Sequence, residues 1–428
     1  MKSRGARSNQ TPVERAALVG LVTRRNRAAD PETQLEELAG LAEAAGASVV
    51  LRITQERSSP DPATLIGQGK AEQVKLACDE LNVNLVIVDN DLTPGQARNL
   101  ETAVGRRVVD RTELILDIFA RRARTHEGQL QVELAQLQYM LPRLAGSSDA
   151  LSRLGGGIGT RGPGETKLET DRRRIRHRIS VLKGDIGTVG QRRASLRARR
   201  KRTDVPTVAL VGYTNAGKTT LFNLLTGSKA VASDALFVTL DPLVRRLKLP
   251  DSRQIMLSDT VGFIDRLPHQ LVAAFRATLE EVAEAELLVH VIDAAAPDRE
   301  RRVEAVRSVV TEVGAGTVPS IDVFNKIDLL SADELDGMRR RYPEAVFLSA
   351  TRTDGREPIV AAISERLQMD VEPMRFALDE RKEGDRKTLA ELYRHAKVTS
   401  HVTKDHRTKV EAEVPRRLMP RFRHARAR

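Results

Sequence analysis

The sequence predicts an α/β protein: a mostly parallel, doubly wound sheet at residues 204–369, an α/β domain and a long helical region before it, and a small α+β domain after it. Three observations predict it. Strand-like and helix-like runs alternate over the first 110 residues, which implies βα units and a parallel sheet. One apolar run, Val208-Ala209-Leu210-Val211, passes straight into a glycine-bounded turn and then an apolar-periodic helix with Leu221, Phe222, Leu224 and Leu225. Further apolar runs downstream each end in polar or acidic residues, the pattern of strands that deliver side chains to one edge of a sheet.

The chain has 428 residues, enough for roughly three domains, and its 40% hydrophobic content can supply a core to each. Lys and Arg total 70 against 58 Asp and Glu, a net charge of +12 that suits a polyanionic partner, although a solvated Arg-rich surface gives the same totals. The single cysteine, Cys78, excludes an intrachain disulfide and a Cys-cluster metal site, and it fits a reducing, cytoplasmic setting. No run approaches the roughly eighteen apolar residues of a membrane span, and no secretion signal is expected. A monomer is expected.

Residues 1–14 are polar and read as a disordered start. Residues 15–110 form the N-terminal α/β domain: strands at Ala16–Val22, Ala47–Ile53 and Asn84–Val88 and helices at Glu32–Ala45, Ala71–Leu81 and Pro94–Val104. Within it Leu65-Ile66-Gly67-Gln68-Gly69-Lys70 reads as a tight turn before a helix; a phosphate-binding turn is the alternative. Residues 111–203 are helical. Leu114, Ile115, Ile118 and Phe119, then Val132, Leu134, Leu137, Tyr139 and Leu141, recur at helical spacing on either side of Thr125-His126-Glu127-Gly128, which predicts a helical hairpin. The glycines of Gly155–Glu165 cannot pack a core, so this stretch is either a flexible linker or a loop that orders on a ribose–phosphate surface. Thr166–Arg202 reads as a helical pair, a coiled-coil-like hairpin with a Leu168, Ile175, Ile179, Leu182, Ile186 seam. Its exterior is rich in Arg, either a solvated face or a nucleic-acid contact.

Residues 204–369 carry the chemistry. Gly212-Tyr213-Thr214-Asn215-Ala216-Gly217-Lys218-Thr219 is a G-x-x-x-x-G-K-T loop in the required strand–turn–helix context. Its glycines let successive N–H groups and a helix N-terminus face one anion, Lys218 adds charge for the β and γ phosphates, and Thr219 offers a hydroxyl to Mg2+. Phe237-Val238-Thr239-Leu240-Asp241 stands where the first switch segment belongs, with Thr239 closing over the metal and the γ-phosphate. Asp259-Thr260-Val261-Gly262 ends a strand; Asp259 would reach Mg2+, directly or through water, and the Gly262 amide would sense the terminal phosphate. Lys218, Thr239 and Gly262 are the catalytic candidates. Asn325-Lys326-Ile327-Asp328 places a carboxylate where guanine offers two donors and adenine none, and Ser349-Ala350-Thr351 brings a backbone amide to the guanine carbonyl.

Together these predict a P-loop GTPase domain binding GTP and GDP with Mg2+. Phe263 follows Gly262 where signalling GTPases carry a Gln that orients water, so a partner surface or an ion is expected to complete the site. Asn215 is the candidate ligand for K+. Residues 370–415 predict a strand–helix–strand–strand domain (Met374–Leu378, Lys387–His395, Val398–Thr403, Thr408–Val414), and residues 416–428 a basic tail, solvated or phosphate-seeking.

The runs Asp110–Ala120, Gln131–Leu137, Gly155–Glu165 and Gly212–Thr219 resemble the bacterial HflX GTPases, over about Ala16 to Leu367. The resemblance implies a translation-associated GTPase that binds the large ribosomal subunit through ribosomal RNA, splits or rescues stalled ribosomes under stress, and hydrolyses GTP faster there. It implies that the basic hairpin and Gly155–Glu165 reach the ribosome, that the five motif segments line the nucleotide, and that Thr219 and Thr239 hold Mg2+. The segment after Met369 matches the family poorly. An RNA-binding or RNA-modification-associated GTPase without splitting activity is the alternative reading.

Overall fold

A computed structural model describes residues 13–23, 30–144, 167–201, 205–233, 235–250, 254–266, 281–368, 371–415, 418–422 and 425. The first sheet is wholly parallel, in the order β2-β1-β3-β4, with β1 Glu14–Val22, β2 Ala47–Glu56, β3 Leu85–Val88 and β4 Arg107–Asp110. Helices α1 Pro31–Ala44, α2 Gln68–Glu80 and α3 Pro94–Val104 make the crossovers. Local chemistry fixes their starts: Asp30 accepts the Thr33 amide, and Thr93 and Gln96 form a reciprocal capping box. Buried Ala17, Val19, Val86 and Val88 of the strands pack with Val74 and Leu100 of the helices.

Helices α4 Arg111–Arg122 and α5 His126–Met140 form the predicted hairpin, hinged on Thr125, whose hydroxyl accepts the Gly128 amide. Asp110 knits strand to hairpin. Its buried carboxylate caps α4 at the Glu113 amide and also accepts from the Leu92 amide, Tyr139 Oη and Arg143.

The expected helical pair over Thr166–Arg202 is corrected by the structure: α6 runs unbroken from Lys167 to Lys201. Buried Ile175 and Leu182 lie seven residues apart, with half-buried Ile179 and Ile186 between and after them, so the stripe is heptad-like but belongs to one helix. Gly184, Gly187 and Gly190 weaken the helix without breaking it, since no proline accompanies them. Residues 1–12 of the expected disordered start, Gly155–Glu165, and most of the basic tail lie outside the described residues, and Glu14 already opens β1.

The second sheet runs β10-β9-β8-β5-β7-β6, parallel except for the edge strand β6. Its strands are β5 Thr207–Gly212, β6 Leu243–Lys248, β7 Gln254–Asp259, β8 Leu287–Asp293, β9 Ser320–Asn325 and β10 Val346–Phe347. Helices α7 Lys218–Thr226, α8 Arg299–Glu312, α9 Ala332–Arg341 and α10 Arg356–Gln368 accompany it. Its core joins Val208, Leu210, Leu257 and Val289 of the strands to Leu221, Phe222 and Ile363 of the helices. The third sheet, antiparallel β11-β13-β12, comprises β11 Val371–Asp379, β12 Lys397–Lys404 and β13 Arg407–Pro415. Period-2 burial of Met374, Phe376 and Leu378 seats it against α11 Glu383–His395 and α12 Met419–Phe422.

The chain separates into two compact units. The first holds the described residues of Met1–Asp185 together with Ala235–Phe237; the second holds those of Ile186–Asp234, Val238–Leu267 and Phe275–Arg428. Among the described residues no helix is long and apolar enough to cross a membrane.

Candidate functional site

The loop after β5 is shaped by two glycines that no other residue can replace without strain. Gly212 has φ +155°, and a Cβ there would lie 2.3 Å from the Val291 carbonyl oxygen on β8. Gly217 has φ +91°, and a Cβ there would lie 2.2 Å from Asn325 Nδ2. Between them Asn215 also takes the left-handed region, with φ +59°, and is half-buried. Helix α7 therefore begins at Lys218 with no side-chain cap, and its first amides are free to face an anion.

Lys218 is only 6% exposed, and its ammonium donates to the Gly212 and Tyr213 carbonyls at 3.1 and 2.8 Å. Burial pushes its pKa down to about 8, against the pull of the Asp259 carboxylate. The next residue, Thr219, donates from Oγ1 to Asp259 Oδ2 at 2.8 Å and lies 2.7 Å from Thr239 Oγ1. Either hydroxyl can donate in that second contact, and Thr239 also hydrogen-bonds Asp259. Asp259 is fully buried at the end of β7; burial raises its pKa, and its Oδ1 has no hydrogen-bond partner. Two hydroxyls and one carboxylate, widely separated in sequence, thus meet beside the loop.

The segment after Asp259 folds back onto the loop. Phe263 N donates to the Gly212 carbonyl at 3.1 Å and Thr214 N donates to the Phe263 carbonyl at 2.6 Å, closing a one-residue parallel bridge between Tyr213 and Phe263. A Cβ on Gly262 would lie 2.8 Å from Thr214 Cα and 3.2 Å from Lys218 Nζ, so only glycine lets the chain pass here. Thr260 turns inward to the Leu210 carbonyl at 2.7 Å, and Val261 is buried, so these two side chains serve the sheet. The Phe263 ring is fully buried and presents nothing to the loop's open side.

At the ends of β9 and β10 the remaining motifs meet the loop from behind. Asn325, 2% exposed, donates from Nδ2 to the Ala216 carbonyl and accepts from the Ala350 amide, both at 2.9 Å. The Ala350 amide is thus engaged within the chain. Asp328 is exposed, and a hydrogen bond from the Ser349 hydroxyl holds its carboxyl below the usual range. Ser349 Oγ also lies 2.8 Å from Thr351 Oγ1. Leu240 is buried, and Phe237, Val238 and Asp241 flank Thr239 without making the hydroxyl cluster themselves.

One contributor escaped the sequence reading, as did the contacts that hold Tyr213. Asp293, at the end of β8, binds Lys326 Nζ at 2.8 Å and fixes its direction. The signal was present, since Leu287–Ile292 is an apolar run ending in an acid, like the run before Asp259. Tyr213 Oη accepts the Asp265 amide at 2.9 Å while Arg302 covers the ring at 5.1 Å, long-range pairings that no local pattern announces.

Three family descriptions match consecutive parts of the chain: GTP-binding GTPase N-terminal over residues 32–120, GTP-binding GTPase Middle Region over 122–200, and 50S ribosome-binding GTPase over 207–326. The GTPase HflX of Caldanaerobacter subterraneus subsp. tengcongensis is 46% identical over 411 residues, covering 96% of this chain and 93% of that protein. The GTPase HflX of Escherichia coli is 48% identical over 339 residues, covering 79% and 80%. A crystal structure of a GTP-binding protein from Sulfolobus solfataricus in complex with GDP is similar at 27% identity and a TM-score of 0.44, covering 82% of this chain and 98% of that one. A strand-end phosphate loop, an acid-and-hydroxyl cluster and relatives this similar over nearly the whole chain lead to one conclusion: the chain belongs to the HflX family of GTPases.

Proposed function

We propose that this GTPase binds the large ribosomal subunit and hydrolyses GTP to GDP and phosphate there, acting in the splitting or rescue of stalled ribosomes under stress. The observation that carries the reading is the match of residues 207–326 to a family described as 50S ribosome-binding. The basic surface of α6, with Arg173, Arg174, Arg176 and Arg178 exposed along its first half, supports a ribosomal RNA partner. Gly155–Glu165 belongs to the same expectation.

In this reading the phosphates of GTP lie along Gly212–Thr219, with the loop amides and Lys218 bound to their oxygens. The guanine base lies against Asp328, which Ser349 holds ionised and ready to accept from two donors. Asn325 supports that pocket by tying the Ala216 carbonyl to the Ala350 amide. The buried, unpartnered Asp259 Oδ1 beside two hydroxyls suits a hard cation, so Thr219, Thr239 and Asp259 would hold Mg2+, which when bound offsets phosphate charge. Water attacks the γ-phosphorus in line; the bond to the β–γ bridging oxygen breaks and its electron pair leaves with GDP. Lys218 and the Gly262 amide face the oxygens that gain charge. Phe263 cannot orient the water, so the isolated chain turns over slowly and the ribosome accelerates it. The Asn215 side chain is the candidate ligand for a stimulating K+, and equal turnover in K+ and Na+ buffers would remove it from that role.

The test is sedimentation with purified large subunits in a non-hydrolysable GTP analogue. Co-sedimentation with the analogue and release with GDP are expected, with faster GTP turnover when subunits are added. No binding even at low salt would overturn the ribosomal reading while leaving the GTPase intact.

A further inference from the structure

The chain after Gly262 meets the phosphate loop through more than the backbone bridge, and the reaction described above uses none of the additional contacts. That bridge, between Tyr213 and Phe263, is one residue long and rests on two hydrogen bonds. Two residues further on, the amide of Asp265 donates to Tyr213 Oη at 2.9 Å, so one loop residue grips this segment twice. The Asp265 carboxylate is held separately: Arg301 of α8 donates to its Oδ2 at 2.8 Å, with both side chains half-buried.

Helix α8 is built to aim that guanidinium. Asp298 stands at its N-cap, yet its side chain accepts no helix amide, the ordinary task of an aspartate there. Its carboxylate instead binds Arg301 at 2.6 Å and pairs with Arg302 at 2.7 Å, while Arg302 covers the Tyr213 ring at 5.1 Å. Tyr213 and Arg301, which hold Asp265, are thus both steadied through one carboxylate. Immediately after Asp265 the chain turns through Arg266 in the left-handed region, φ +53°, a conformation that persists in such a residue only where neighbouring contacts impose it.

We propose that Tyr213 and Arg301 are positioning residues for GTP hydrolysis: a clamp on Asp265 that keeps the Gly262 amide against the phosphate loop, where it faces the γ-phosphate. Every residue of the clamp lies in the second unit. Three residues of chain span at most about 11 Å, so with Phe263 bridged and Asp265 clamped the Gly262 amide has little room to withdraw. The inference rests on the reading that Gly212–Thr219 and Gly262 receive the phosphates of GTP, and it is independent of the ribosomal partner. It predicts a distinction between nucleotides. GDP is held by the loop amides, Lys218 and the base contacts, none of which needs the clamp; only a γ-phosphate gains from it.

The experiment uses the full chain without ribosomes. Tyr213→Phe, which keeps the ring under Arg302 and removes only the hydroxyl, is compared with Arg301→Ala, Arg301→Lys and the double variant Tyr213→Phe with Arg301→Ala. Calorimetry gives the affinities for GDP and for a non-hydrolysable GTP analogue, and kcat is measured at saturating GTP. Tyr213→Phe and Arg301→Ala are each expected to keep GDP affinity within about twofold while analogue affinity and kcat fall on the order of fivefold. Arg301→Lys, which retains a charge for Asp265, should recover part of the loss. The double variant should lose less than the product of the two singles, because both hold one residue. Analogue and GDP affinities falling together, or neither moving, would overturn the clamp, as would losses that multiply in the double variant. Failure of the unsubstituted chain to bind GDP would instead overturn the reading of the phosphate site, and this inference with it.

Discussion

Asn325→Ala tests the architecture of the site at its most concentrated point. The Asn325 side chain is nearly sealed from solvent, donating to the Ala216 carbonyl and accepting from the Ala350 amide, each at 2.9 Å. Truncation removes two hydrogen bonds and strands one buried acceptor and one buried donor, since Ala216 and Ala350 are themselves buried. Each orphaned group costs about 1–3 kcal/mol, so the substitution should destabilise the second unit by about 2–6 kcal/mol. Part of that loss falls on the nucleotide-competent arrangement, because Asn325 is what ties the phosphate loop to the β10 loop. Each 1.4 kcal/mol lost there weakens GDP tenfold, so an affinity loss of at least about tenfold is expected. Preference for guanine over adenine should survive, since Asp328 is held separately by Ser349. Denaturant unfolding and calorimetric GDP titration measure the two quantities. A destabilisation below about 1 kcal/mol with GDP affinity intact would refute the bracing role.

Three further perturbations separate other features. Gly212→Ala puts a Cβ 2.3 Å from the Val291 carbonyl oxygen, whereas at Gly227, φ +67°, a Cβ meets nothing within 4 Å. Gly212→Ala should therefore cost several-fold more than the roughly 1 kcal/mol expected of Gly227→Ala, as read by thermal unfolding. Burial raises the Glu113 pKa to about 7, against the attraction of Arg107. The folded state then binds the extra proton between the unfolded value of 4.5 and about 7, so this group's contribution falls as pH rises through that window. With the side chain 30% exposed, the loss is screened to about 1–2 kcal/mol, and Glu113→Gln should flatten it in unfolding measured at pH 5 and pH 8. Arg178 pairs with Glu133 on the surface at 2.6 Å, with side chains 48% and 40% exposed, so Arg178→Ala should change stability by less than about 1 kcal/mol. A larger loss would mean that α6 is held by its ion pairs and not by the Ile175–Leu182 stripe.

Local order was legible in the sequence to a useful depth. Pro94–Val104 is a helix with the predicted bounds because Thr93, Pro94 and Gly105 mark both ends chemically. The four strand-and-helix segments after residue 370 emerged as predicted, with period-2 burial clear in β11 and β13. What stayed hidden shares one property: it depends on pairing at a distance. Strand β6, with Arg245, Arg246 and Lys248 among three apolar residues, has no clear period, and it becomes a strand by pairing antiparallel with β7. The unbroken α6 was misread as a pair of helices because the heptad stripe implies a partner and says nothing of which segment supplies it. In the site, the identity of the phosphate loop was fully local, whereas the engagement of the Ala350 amide by Asn325 and the docking of Phe237 on Phe119 were not.

The position after Gly262 shows why recognition of motifs and physical reading are different exercises. A phenylalanine there says only that the usual water-orienting amide is missing; the structure says where the ring goes. It fills the core with no exposure, while its backbone N–H and carbonyl close a bridge onto Gly212 and Thr214. Residue 263 is therefore a structural pin, and its side chain is not poised to swing toward the phosphates. Placing a glutamine amide in that apolar site would bury an unpaired polar group. This is why the proposed function has a partner surface complete the site. On the ribosomal proposal a partner surface orients the water, and Asn215 is the candidate ligand for a stimulating K+. On that proposal, loss of the partner contact should abolish the stimulation while leaving basal turnover in place.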